Sequence, residues 1–291
     1  GLMSILVDKN TRVLVHGITG TQASFHVKRM LAYGTNIVAG VSPYQKDTQY
    51  LGVPIFENAT AAVAQTKANA SLLFVPAQSV KAAVKDALDA GIKLIVSIAY
   101  GVPIFDVMEI HQMIKAHGAV LIGPNTPGII TPSETSLGVL PAGIHQKGVV
   151  GIVSRSSTLT YEAVLETNRA GFGQSTVLGI GDDMIAGCGL DTIIKLFEED
   201  PQTKAIVVIG ALGGTYEDEA AAYYQSLPHK KPMIVYMTGR ENADADIGYA
   251  SDILTHGKTT IRDKKNLFKK AGAVVIDHID DLSKALIEIL K

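Results

Sequence analysis

Apolar residues in this chain come in short unbroken runs separated by longer amphipathic stretches. In the first half the runs fall at Arg12–Val15, Asn36–Val41, Ser71–Val75, Leu94–Ser97 and Val120–Ile122. Runs of this length without polar alternation suit strands covered on both faces, and the stretches between them carry helical spacing. Strand and helix alternating in this way specify a parallel sheet with helices on both sides. A second series follows at Val149–Val153, Ser175–Ile180, Ala205–Ile209, Met233–Tyr236 and Ala273–Ile276. Helices are expected over Thr158–Ala170, Leu190–Glu198, Glu217–Gln225, Lys264–Ala271 and Ile279–Leu290. Between the two series, Thr131 to Gly148 is rich in Pro, Gly and Ser and lacks sustained periodicity, so a domain boundary is expected near Gly143–Gly148. The chain therefore reads as two α/β domains, residues 3–143 Rossmann-like and residues 144–291 flavodoxin-like. Gly1-Leu2 ahead of Met3 has the look of a tag remnant and is set aside.

The bulk numbers narrow the function more than the fold. At 291 residues with 47% hydrophobic and 19% charged positions, the chain has enough apolar material for two buried cores. A net charge of −2 offers no basic footprint for nucleic acid, and no apolar run approaches the length of a membrane span. The single cysteine, Cys188, excludes an intrachain disulfide framework and suits a cytoplasmic setting. The eight histidines show no zinc-like spacing, so no metal is expected.

Two strand-to-helix junctions carry candidate chemistry. Arg12-Val-Leu-Val-His-Gly-Ile-Thr-Gly-Thr-Gln22 is an apolar strand, a Gly-x-x-Gly turn and the opening of a helix. Its free backbone N–H groups, Thr19 and Thr21 suit a pyrophosphate, with Gly17 and Gly20 allowing close approach. Gly151-Ile-Val-Ser-Arg-Ser-Ser-Thr-Leu-Thr-Tyr-Glu162 repeats the arrangement with Ser156, Ser157 and Thr158 at the helix start, where the macrodipole contributes about +0.5 charge. Phosphate or carboxylate is the expected guest there. The loops Gly17–Gln22, Ser42–Lys46, Pro76–Ser79, Ile98–Gly101 and Gly123–Gly128 should converge on one sheet edge. A nicotinamide dinucleotide fits less well than another nucleotide, because Val38-Ala-Gly-Val-Ser-Pro43 offers no acid for a ribose hydroxyl.

These segments, with Ser4-Ile-Leu-Val-Asp-Lys-Asn-Thr11, Ala90-Gly-Ile-Lys-Leu-Ile95, Ile122-Gly-Pro-Asn-Thr-Pro-Gly128 and Glu199-Asp-Pro-Gln-Thr203, resemble the α subunit of succinyl-CoA synthetase, the nucleotide-forming succinate–CoA ligase. The resemblance runs from Ser4 to Lys291. It implies coenzyme A as cofactor, a β subunit of ATP-grasp type as partner, and a place in the tricarboxylic acid cycle. Carried over residue by residue, Thr19, Gly20, Thr21, Gln22, Gln45, Ile98, Ala99 and Tyr100 are implied to meet CoA. Ser156, Ser157, Thr158 and Tyr161 are implied to meet phosphate or a succinate-like acid, with Arg155, Thr160 and Glu162 matching the same family segment.

The departures from the family pattern matter more than the matches. The family carries a phosphorylated histidine in Gly-His-Ala-Gly, and this chain reads Gly248-Tyr249-Ala250-Ser251. A phenol, ordinarily titrating near about 10, is a poor phosphoryl acceptor without activation. The glutamate that serves that histidine in Ile-Gly-Glu-Ile-Gly-Gly is Ala211 here. A basic loop becomes Asn242-Ala-Asp-Ala-Asp246, and Asp182 adds a further carboxylate in Gly179-Ile-Gly-Asp-Asp-Met184. Nucleophile, partner and phosphate electrostatics are thus altered together, and His256, seven residues beyond Tyr249, is too distant to substitute simply. On the CoA side, Gln45 stands for a family lysine, removing a charge-assisted contact worth about 1.5–3 kcal/mol unless Lys46 reaches in. Tyr100 replaces a glutamate and Thr126 a cysteine.

The leading expectation is a CoA-binding α-type subunit impaired in the phosphohistidine step. The alternatives are an active acid–CoA ligase working with a β subunit, and a non-catalytic metabolite-sensing scaffold.

Overall fold

The computed structural model describes residues 5–43, 48–181, 183–239 and 260–291, which divide into two compact units. One unit is Leu6–Ala142 with Ile185–Cys188, and the other is Gly143–Met184 and Gly189–Lys291 with Ile5. Gln45, Asp182, Asn242–Asp246, Tyr249 and His256 lie outside the described residues.

The first unit runs β1 (Val13–His16), α1 (Thr21–Tyr33), β2 (Ile37–Val41), β3 (Gln49–Tyr50), β4 (Val53–Phe56), α2 (Ala59–Thr66), β5 (Ala70–Leu73), α3 (Val80–Asp89), β6 (Leu94–Ser97), α4 (Ile104–Ala116), β7 (Val120–Ile122), β8 (Gly128–Thr131) and β9 (Thr135–Gly138). Its main sheet is ordered β3-β4-β2-β1-β5-β6-β7, parallel except for the β3–β4 pair. Numbering only the parallel strands in chain order gives 3-2-1-4-5-6, the doubly wound dinucleotide arrangement. Every residue of β1, β5 and β6 is buried, as the unbroken apolar runs require.

The antiparallel hairpin β8–β9 corrects the reading of the Thr131–Gly148 stretch as aperiodic linker. Its strands are rich in hydroxyl residues, so hydropathy hides them, yet Thr131, Thr135 and Ser136 are all buried. At Thr131 and Ser136 the burial is offset by pairing: Thr131 Oγ1 donates to the Val7 carbonyl at 2.9 Å, and Thr35 Oγ1 donates to the Ser136 carbonyl at 2.8 Å, whereas Thr135 Oγ1 has no hydrogen-bond partner among the described residues. The short, partly covered β3 and β4 were hidden for a related reason: too few of their residues are enclosed to leave an apolar run.

A polar cross-link fastens the centre of the first sheet. His16, only 4% exposed, places Nδ1 2.9 Å from Ser71 Oγ and Nε2 2.8 Å from Asp86 Oδ2. A carboxylate only accepts, so Nε2 carries the proton toward Asp86. Asp86 Oδ2 also accepts from the Ala59 amide at 2.9 Å, joining β1, β5, α3 and the start of α2. Burial works against ionising Asp86, but the hydrogen bonds from His16 and the Ala59 amide outweigh it and hold the carboxyl below the usual aspartate range.

The second unit runs β10 (Lys147–Ser154), α5 (Ser157–Arg169), β11 (Gln174–Gly179), α6 (Leu190–Glu199), β12 (Ala205–Gly210), α7 (Tyr216–Ser226), β13 (Met233–Met237), α8 (Ile261–Ala271), β14 (Val274–Ile276) and α9 (Leu282–Leu290). Its parallel strands are ordered β14-β13-β12-β10-β11, the flavodoxin-like sequence. Helix α6 buries Leu190, Ile193, Ile194 and Phe197, a single stripe at helical spacing. Phe197 lies so close to β10 that a Cβ added to Gly151 would come within 2.5 Å of its ring.

Two stability outcomes follow. Gly151→Ala should cost about 1–3 kcal/mol in denaturant unfolding, because Phe197 has no open side toward which to move. Asp86→Asn should cost about 1–3 kcal/mol at neutral pH. Since the folded pKa of Asp86 is depressed, its contribution is present above the ordinary aspartate pKa near about 4 and is lost as pH falls through the lower folded value. The wild-type and Asp86→Asn unfolding curves should therefore converge below that range. A gap that persists undiminished at low pH would contradict this assignment.

Candidate functional site

In each unit the strand order reverses beside β1 or β10, and the crossover helices leave in opposite directions there. In the first unit the reversal lies between β1 and β5. A cavity of about 470 Å³ opens at that point, lined by His16 and Gly17 after β1, Val41–Pro43 after β2, Glu57 after β4, and Val75, Pro76, Ser79, Ala82, Ala83 and Asp86. Three of the loops expected to converge, those after β1, β2 and β5, meet at this cavity. The other two meet each other, the Asn125 amide donating to the Ala99 carbonyl at 3.0 Å.

The turn beside the cavity is built for an anion. Gly17 has a φ of +76°, and a Cβ there would stand 2.8 Å from the Phe74 carbonyl oxygen, so glycine is required. Gly20 differs: it is the N-cap of α1 in ordinary extended backbone, and an added Cβ would meet nothing closer than the Gly17 carbonyl at 3.5 Å. Gly20 therefore keeps the space above the helix start open without serving any unusual dihedral. No side chain caps α1, and its first turn holds no acid, so its leading N–H groups face outward uncompensated. Thr21 and Gln22 are exposed and Thr19 is half-buried. Tyr100 is 79% exposed, standing clear of the protein surface instead of packing into it. Thr126 is buried, with Oγ1 accepting from the Gly128 amide at 3.0 Å.

In the second unit the reversal lies between β10 and β12, where α5 begins. Ser156 is the N-cap, its Oγ accepting from the Leu159 amide at 3.3 Å, while Ser154 Oγ accepts from the Ser156 amide and donates to its carbonyl, each at 2.8 Å. Thr160 Oγ1 donates back to the Ser156 carbonyl at 2.6 Å. These bonds fix the helix start and use Ser156 and Thr160 internally. Ser157, Thr158 and Tyr161 remain exposed on the same end, and the first turn contains no acid.

Arg155, which matches the family segment in the sequence, is only 3% exposed, with its side chain turned inward. Its Nη1 donates to both Glu217 oxygens at 2.9 and 2.8 Å and to the carbonyls of Ala211 and Gly213 at 3.2 and 2.9 Å. Glu217 in turn accepts from the Ala211 amide at 3.2 Å and from Lys264 Nζ at 3.2 Å. Lys264 also donates to the Gly214 carbonyl at 2.9 Å and to Asp218 at 3.0 Å. A fully enclosed carboxylate shared by two cations thus pins the 211–214 turn against the start of α5. Sequence reading missed Glu217 and Lys264 because both sit in charge-rich helical segments that look solvated. The acid run Glu217-Asp218-Glu219 opening α7 was the available signal.

Among the described residues, no group of three or more His, Cys, Asp or Glu is placed to hold a metal ion, and no helix is long and apolar enough to cross a membrane.

Comparison with known proteins matches residues 8–101 to the CoA binding domain family and residues 153–275 to the CoA-ligase family. Succinate–CoA ligase [ADP-forming] subunit alpha 2 of Archaeoglobus fulgidus is 44% identical over 289 residues, covering 99% of this chain and all of the relative. The corresponding alpha subunit of Aquifex aeolicus is 44% identical over 292 residues, covering 99% and 95%. Among solved structures, ATP citrate lyase from Methanothrix soehngenii in complex with citrate and coenzyme A superposes with a TM-score of 0.87 over 98% of this chain and 50% of that one. Its identity of 24% speaks to the fold alone. With two α/β units, acid-free helix starts at their strand reversals and full-length relatives of this closeness, the chain belongs to the succinate–CoA ligase alpha-subunit family.

Proposed function

We propose that this protein is a CoA-binding α-type subunit that has lost the phosphohistidine step and acts beside a nucleotide-binding β subunit of ATP-grasp type. The open, uncapped start of α1 at Gly20 is the observation that carries the CoA assignment. Thr19, Gly20, Thr21 and Gln22 would hold the pyrophosphate, and Ile98, Ala99 and Tyr100 with Gln45 would border the remainder of the ligand. CoA supplies a thiol for acyl transfer when bound, and the chain's part is to fix the phosphates and orient the thiol arm.

The start of α5 supports a second anion site, with the Ser157 and Thr158 donors for phosphate or a succinate-like carboxylate and Tyr161 beside them. Ser156 shapes the site through its cap. The Ala211 side chain carries no acceptor to orient an imidazole, and Tyr249 provides no imidazole to orient. Binding without phosphoryl transfer is the reading these residues favour. A cytoplasmic setting belongs to the same reading, supported by the lone cysteine.

Two measurements test it. Calorimetric titration with CoA should give binding that Gly20→Glu removes, since the new carboxylate fills the open space and repels phosphate. Absence of binding to the wild-type chain would overturn the CoA assignment. Incubation with a succinate–CoA ligase β subunit and γ-labelled ATP should leave no acid-labile phosphate on this chain and form no acyl-CoA. Label on the chain, or acyl-CoA formation lost on Thr158→Val, would show an active ligase instead.

A further inference from the structure

A chain of hydroxyl groups ties the first turn of α1 to the short strand β3. Ser24 Oγ donates to the Gly20 carbonyl at 2.8 Å, and the same oxygen lies 2.5 Å from the Tyr50 hydroxyl. A hydroxyl has one hydrogen and a carbonyl only accepts, so the Ser24 hydrogen goes to Gly20 and Tyr50 donates the second bond. The chain therefore has one direction, from Tyr50 through Ser24 to Gly20. The Gly20 carbonyl also accepts from the Ser24 amide at 2.8 Å, so two donors on one residue hold it in line with the helix.

A tight hairpin presents the phenol at this place. Tyr50 pairs with Val53 across β3 and β4, and the two residues between them, Leu51 and Gly52, have φ of +53° and +76°. Two consecutive residues in the left-handed region make the two-residue turn that matches strand twist, and a leucine there is strained. The turn fixes the register of Tyr50 against β4, and β4 pairs with β2 beside β1. Both ends of the hydroxyl chain are thus anchored to the sheet from which α1 departs. Ser24 and Tyr50 are each half-buried.

The peptide group that joins Gly20 to Thr21 is planar, and its carbonyl and N–H point in opposite directions. A Gly20 carbonyl held along the helix therefore aims the Thr21 amide out of the helix start, where it has no partner within the helix. The Gly20 amide is already spent on the Gly17 carbonyl at 3.2 Å. Hydrogen bonds in series polarise one another, so drawing electron density from the Gly20 carbonyl makes the Thr21 amide a better donor. We infer that Tyr50 and Ser24 are positioning residues for the CoA diphosphate, acting through the Gly20–Thr21 peptide to set the direction and strength of the Thr21 donor. The inference rests on the CoA assignment of the α1 turn.

The test is calorimetric titration of the full chain with CoA, using the wild type, Tyr50→Phe, Ser24→Ala, the double variant and Ser24→Thr. Tyr50→Phe should weaken CoA about two- to five-fold and Ser24→Ala about three- to ten-fold. The double variant should bind within about 1.5-fold of Ser24→Ala, because the phenol acts only through the serine. Ser24→Thr keeps the hydroxyl and should stay within about two-fold of the wild type. A bond that merely supported the fold would lower the unfolding midpoint of the variants and leave CoA affinity as in the wild type. Unchanged affinity in Tyr50→Phe would overturn the inference and leave the CoA assignment standing. Losses that multiply in the double variant, or a Ser24→Thr chain as weak as Ser24→Ala, would overturn it as well. Absence of CoA binding to the wild type would overturn the CoA assignment and this inference with it.

Discussion

Parallel strand pairing forces every crossover helix to begin at the same sheet edge, and where the strand order reverses two such helices diverge and leave a crevice between them. That constraint decides where this protein can do chemistry. In the first unit the reversal lies between β1 and β5, and in the second between β10 and β12. Each time the strand beside the reversal runs into a helix whose first turn lacks an acid. The macrodipole and the unpaired N–H groups then point at the crevice, and an anion is the natural occupant of both.

The two crevices are finished differently. At α1 nothing caps the helix, and Gly20 keeps the approach open, so the donors are available to a ligand. At α5 the cap is supplied from within by Ser156, stiffened by Ser154 and Thr160, and the exposed hydroxyls lie one step further along. Behind α5 sits the most heavily charged interior feature of the described residues, Glu217 between Arg155 and Lys264. Enclosing such a group is costly unless every partner is in place, and here both cations are hydrogen-bonded to carbonyls of the 211–214 turn as well. The network ties the 211–214 turn, which carries Ala211, to the start of α5.

Much of this was legible in the sequence. The unbroken apolar runs marked the buried parallel strands, since a strand covered on both faces has no polar side to alternate. Gly17–Gln22 and Ser154–Glu162 were recognisable as strand-to-helix junctions because glycine and hydroxyl residues interrupt hydrophobic periodicity only where a turn or cap needs them. The sequence alone also determined that the groups at positions 249 and 211 are a phenol and a methyl, and no packing can turn these into an imidazole and a carboxylate.

Other features exist only once the chain is folded. Arg155 showed only a match to a family segment in the sequence, because its partner Glu217 is distant along the chain and only the fold brings the two together. The hydroxyl-rich hairpin β8–β9 passed for linker, since its burial depends on partners such as Val7 and Thr35 that local hydropathy does not register. Glu57 and Asp86 carried no motif at all. Their common position at the rim and wall of one cavity follows from the reversal of strand order, which brings the ends of β1, β2, β4 and β5 together. Periodicity is a local property and survives in the sequence, whereas the electrostatics of a crevice are the sum of groups that only the tertiary fold assembles.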